Sequence, residues 1–134
     1  MLNTTTNTQA TMMESKGQSV ASLMLRIESI VALAAVILLY NQQSGDWGAF
    51  LLLLLTPDLA FIAYAVNPEL GRKVYNLVHT YSLPVVLAVV ALLGGWSIGV
   101  SLALIWLAHI SLDRIVGYGI KYTSEKGDTH LQRI

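Results

Sequence analysis

The sequence predicts an all-α integral membrane protein, a bundle of four transmembrane helices running up-down-up-down. Three observations carry this expectation. Hydrophobic residues make up 54% of the 134 and charged residues 12%, about half the share usual in soluble domains. Four apolar stretches, about Leu23 to Tyr40, Trp47 to Val66, Val74 to Leu93 and Ile98 to Val116, each have the roughly 17–25 residues that cross a bilayer. They are apolar on nearly all faces, whereas helices of a water-soluble bundle carry a polar outer face.

The length allows one domain. Residues 1–20 are polar and carry almost no charge, so they read as a disordered tail rather than a secretory signal, which needs a basic start and an apolar run. Residues 21–120 hold the four-helix domain. Residues 121–134 form a C-terminal tail short enough to fold over the mouth of the bundle. The connections between spans carry turn chemistry. Asp46 is a good helix cap, and Asn67-Pro68-Glu69 reads as cap, first-turn proline and first-turn acid. Gly94-Gly95 breaks the chain between the last two spans. Loops this short make sequential helices antiparallel.

Charge sets an expected direction. Lys16 and Arg26 precede or open span one, Arg72 and Lys73 lie between spans two and three, and Arg114, Lys121, Lys126 and Arg133 end span four or follow it. All the basic residues then share one side, expected to be the cytoplasmic face of the cell membrane, with both termini there. The formal net charge is zero and there is no cysteine. Nucleic acid is thereby excluded as a partner, as are disulfides, thiolate metal sites and a cysteine nucleophile.

Ionisable residues inside spans are costly and call for a reason. Span one has Glu28, span two Asp58, span three His79, and span four His109 and Asp113. The topology places them all roughly 5–12 Å inside the cytoplasmic edge. His109 and Asp113 are four apart and share a helix face, as do Tyr75, Asn76 and His79 at spacings of three and four. Pro57 removes a backbone donor beside Asp58 and opens the helix there, and Pro84 does the same above His79. Imidazole and carboxylate drawn from several helices is how bundles build metal centres, and the set suits zinc, iron or manganese. The expected metal ligands are therefore His79, His109, Asp113, Asp58 and Glu28. Asn76, Arg26, Tyr75 and Arg114 join as ligand-binding candidates, with Asp128 and His130 reaching back from the tail. The aromatic residues near span ends, among them Tyr40, Trp47, Tyr75 and Trp96, read as interface anchors, and Trp106 as packing.

At these residues the chain resembles the small bacterial membrane proteins of domain-of-unknown-function family 4260. The matching pieces are Leu25-Arg26-Ile27-Glu28, Pro57-Asp58-Leu59, Tyr75 to Tyr81, Ala108-His109-Ile110 through Asp113-Arg114, Gly117-Tyr118-Gly119 with Lys121-Tyr122, and Asp128-Thr129-His130-Leu131. The resemblance covers roughly Leu23 to the C-terminus and implies a four-helix membrane fold, without a reaction. More loosely, Ala108 to Arg114 is similar to a His-x-x-x-Asp helix of inner-membrane metal-dependent hydrolases, whose His-Ser pair has no counterpart here.

Two functions follow as expectations. One is a metal-dependent hydrolase acting on a phosphoester or lipid head group at the inner interface. The other is a non-enzymatic membrane protein whose polar network is structural or binds a small polar ligand or lipid head group. A proton or ion pathway is the weaker reading, because the outer halves of the spans carry no ionisable residue. A bundle this small is of a size to form a homo-oligomer, although its GxxxG spacing, Gly95 to Gly99, falls at a turn.

Overall fold

In the computed structural model, which describes residues 3–119, all the regular structure is helical. The first helix, α1, runs over Asn3–Gln42. It therefore takes in residues 3–20 of the polar stretch expected to be an unstructured tail. That stretch has no proline and one glycine, Gly17, and helix extends cheaply from an apolar segment that has already nucleated it.

The second apolar run has three pieces: α2 (Trp47–Leu53), a 3₁₀ segment (Thr56–Ile62) and α3 (Ala63–Val66). Asp46 caps α2, accepting from the backbone N–H groups of Gly48 and Ala49. Pro57 sits at the start of the 3₁₀ segment, where its missing N–H costs nothing.

The third run differs from the single straight helix expected. It is α4 (Pro68–Val78) followed by α5 (Ser82–Leu93), bent by 44° at the break. Asn67 caps α4 through the N–H groups of Glu69 and Leu70, which starts the helix six residues before Val74. The break falls a turn ahead of Pro84, whose ring excludes the helical carbonyl four residues back and offers it no N–H. Thr80 Oγ1 accepts from the Ser82 N–H and opens α5.

The last helix, α6, covers Ser97–Val116. It ends at Gly117, whose φ of 107° suits glycine. Gly117 N–H bonds to the Arg114 carbonyl and Tyr118 N–H to the Asp113 carbonyl, the paired closure of a Schellman cap.

Helix α6 is the centre of the molecule, packed by α1 on one side and α5 on the other, with the 3₁₀ segment also touching it. The core joins Val36 and Tyr40 of α1, Phe50 of α2, Ala91 of α5, and Val100, Leu104, Ile105 and Ala108 of α6. Tyr40 is buried rather than anchored at an interface. Its hydroxyl donates to the Asp46 carbonyl at 2.7 Å and its ring meets Trp47 and Phe50 edge-on. Trp47 and Trp96 are exposed.

Leu51, Leu52, Val85, Val86, Val89, Val90 and Leu93 are also exposed. An outer surface this apolar needs an apolar solvent. Thr6–Gln42, Trp47–Val66 and Ser97–Val116 are each long and apolar enough to cross a bilayer, and the bent pair α4–α5 qualifies when taken as one span.

Candidate metal centre

Breaks in the second and third runs deliver two of the four side chains of the site. Asp58 stands in the first turn of the 3₁₀ segment, beside Pro57. His79 is the residue at which α4 ends, with φ −99° and ψ 18°. The other two, His109 and Asp113, lie one helical turn apart on unbroken α6.

These four side chains converge. His79 Nε2 lies 3.1 Å from His109 Nε2 and 3.4 Å from Asp113 Oδ2. It is 3.7 Å from Asp58 Oδ1. His109 Nε2 lies 3.4 Å from Asp58 Oδ1 and 3.5 Å from Asp113 Oδ2. Donor atoms of the four residues all fall within 4.8 Å of one another. Four ligands set tetrahedrally at about 2.1 Å from zinc would stand about 3.4 Å apart. The five separations above scatter around that value, so this His₂Asp₂ group could hold a metal ion.

Hydrogen bonding fixes the chemistry of His79. Its Nδ1 lies 2.9 Å from the Tyr75 carbonyl. A carbonyl only accepts, so Nδ1 carries the proton and Nε2 of the neutral ring keeps its lone pair for the site. Metal-bound histidines are commonly oriented in this way. The Tyr75 ring also stacks on the imidazole, with centroids 3.8 Å apart and planes at 13°. Phe61 packs behind Tyr75 at 5.3 Å. Both imidazoles are buried, whereas the side chains of Asp58 and Asp113 remain 41% and 23% exposed. The group is thus closed on its histidine side and open on its carboxylate side.

The other expected site residues fall elsewhere. Glu28 is exposed on α1 and stands outside the four-residue group. Tyr75 is buried against His79 rather than exposed at an interface. Asn76 is half-buried on α4. Arg26 reaches the end of α6, where a Cβ on Gly117 would sit 3.1 Å from its Nη2. A cation there faces the negative end of the helix dipole. Arg114 lies over the Tyr81 ring, 4.2 Å from its centre. Asp128 and His130 lie outside the described residues.

Three residues beyond the expected ligands take part in the surroundings. Tyr81 Oη and Ser111 Oγ are 3.1 Å apart, joining the start of α5 to α6. Trp106, expected only to pack, donates its indole N–H to the Val78 carbonyl at 2.7 Å. That carbonyl belongs to the last turn of α4, where helical donors run out. Trp106→Phe is expected to cost about 1–3 kcal/mol, the penalty for an orphaned polar group. Thermal unfolding in detergent reads this directly, and a midpoint equal to wild type would show that the bond contributes nothing.

The profile of the family described as domain of unknown function DUF4260 matches residues 22–134. The chain belongs to this family. All four converging residues, Asp58, His79, His109 and Asp113, lie within the matched region, and most of the polar stretch of α1 lies before it. No curated protein and no solved structure matches the chain.

Proposed function

We propose that this DUF4260 chain is a four-span membrane metalloprotein with both termini cytoplasmic, and that it uses one divalent ion for hydrolysis at the inner interface. The observation that carries the reading is the convergence of two imidazole nitrogens and two carboxylate oxygens at separations suited to one ion. Zinc is the best fit, since it takes mixed nitrogen and oxygen ligands in tetrahedral sets. Two aspartates also cancel the charge of a divalent ion, which lowers the cost of placing it among membrane helices.

A bound divalent ion supplies Lewis acidity toward water and toward an ester or phosphoryl oxygen. The chain's own residues do the rest. His79 and His109 hold the closed side, with His79 oriented by Tyr75. Asp58 and Asp113 face the open side, where a substrate oxygen can approach. Hydrolysis adds one water across the ester linkage, giving an acid and an alcohol.

One observation favours a metal-free network instead. The 3.1 Å contact between the two Nε2 atoms also suits an N–H···N hydrogen bond donated by His109. Elemental analysis of the full chain purified in detergent separates the two readings. The metal centre requires about one ion per chain in wild type, and much less in Asp113→Asn, which keeps shape but loses a charged ligand. Metal-free wild-type protein that stays folded would refute it.

A further inference from the structure

An apolar cleft of about 570 Å³ opens beside the His/Asp group, within the roughly 300–1,000 Å³ usual for ligand sites. Its lining includes Leu53, Pro57, Ala60, Val74, Val78 and Trp106. Two of these adjoin the site in sequence: Pro57 precedes Asp58, and Val78 precedes His79. Trp106, one turn before His109, closes the wall through its bond to the Val78 carbonyl.

The cleft has a direction. On α6 it is lined by Leu102, Ile105 and Trp106, which precede His109 by seven, four and three residues. On α5 it reaches Leu87, eight residues beyond His79. It therefore runs past the level of the polar group toward the middle of α6, a distance of about 10 Å at the rise of a helix, while its other wall includes Val74, five residues before His79. Leu59 and Leu102, both in its lining, are 61% and 38% exposed, so the cleft is continuous with the apolar outer surface. A polar group flanking an apolar channel that runs toward the helix middle matches the layout of an amphiphile.

We infer that the cleft seats an acyl chain of a bilayer lipid whose anionic head group meets the His/Asp centre. The charge of the head group rests on the metal reading above. Two carboxylates and a divalent ion sum to zero, and the Arg114 guanidinium, next to Asp113 in sequence and stacked on Tyr81, is a cation available there to an anionic group. An anionic phosphate head group is favoured over a zwitterionic one by about 1 kcal/mol for one unit of charge, or roughly fivefold.

Trp106 reports on the cleft directly. Full-length protein carrying Trp47→Phe and Trp96→Phe retains Trp106 as its one tryptophan. It would be placed, with zinc, in phosphatidylcholine vesicles containing phosphatidic acid or phosphatidylcholine brominated on the acyl chain. Bromine quenches indole fluorescence at close range. A lipid seat predicts saturable quenching, half-complete at a roughly fivefold lower fraction of brominated phosphatidic acid than of brominated phosphatidylcholine. Ala60→Phe, or Val74→Phe from another wall, would fill the cleft and abolish saturation. Quenching that rises in proportion to brominated lipid, with no preference between head groups, would mean general contact with bilayer lipid and overturn the inference. Unchanged saturation in folded filled variants would overturn it as well. Zinc content measured on the same samples keeps the two proposals apart. Bound zinc with indifferent quenching removes only the lipid seat. Absent zinc removes the metal and with it the expected preference for phosphatidic acid, and the acyl seat then stands or falls on the saturation of Trp106 quenching.

Discussion

A chain carrying His109→Ala is expected to bind zinc about a hundredfold more weakly than wild type, measured by competition with a chromophoric chelator in detergent. Four-ligand protein sites hold zinc with about 10–16 kcal/mol, so one ligand in four accounts for about 3 kcal/mol or more. Three of the five short separations run through the His109 Nε2, as three do through that of His79, and removing His109 leaves the stack of Tyr75 on His79 in place. His109 is also buried, so water cannot easily enter to take its place. Asp58, whose side chain is 41% exposed, should give a smaller loss when changed to alanine, since water can supply an oxygen there. Leu112→Ala, on an exposed part of the same helix, should leave zinc affinity alone. His109→Gln guards against simple unfolding, as it keeps bulk and polarity while losing the imidazole. If folded His109→Ala or His109→Gln protein binds zinc as wild type does, the four residues are not the binding site.

Much of this site was legible in the sequence because membrane burial makes polar residues conspicuous. Asp58, His79, His109 and Asp113 stand out against apolar surroundings, and the four-residue spacing on α6 needs only the geometry of a helix. Glu28 met the same criterion of depth and yet is exposed on α1. Depth fixes the level of a residue along a helix but says little about which way that helix is rotated. The rotation of α1 is set by its packing against α6, where Val36 and Tyr40 turn inward. The break at His79 was less legible. Pro84 signalled a disturbance, but its effect falls on the carbonyl one turn earlier, which places the bend at the histidine itself. Tyr75 was anticipated as a neighbour of His79 by spacing alone. That its carbonyl would orient the ring depends on α4 ending there, a matter of tertiary structure. The indole bond of Trp106 to Val78 lay beyond reach for the same reason, since it joins residues 28 apart in the chain.

Stripping the ion is expected to have the second large effect, on stability. A ligand present at about a thousand times its dissociation constant stabilises the folded state by about 4 kcal/mol. For a chain of this size that corresponds to a fall in unfolding midpoint on the order of 10 °C when a chelator is added. Electrostatics points the same way. Without an ion, two carboxylates face two buried imidazoles, and apolar surroundings make such an arrangement expensive. Protons also compete with the ion for the same lone pairs, because histidine binds metal only as the neutral ring. The difference in midpoint between loaded and stripped protein should therefore be wider at neutral pH than in acid. Asp58→Asn with Asp113→Asn removes both the ion's counter-charge and the need for it. That double variant should unfold at one midpoint with or without chelator, at either pH. Equal midpoints for loaded and stripped wild type at neutral pH would assign the cohesion of the site to hydrogen bonds among the four side chains, with no ion required.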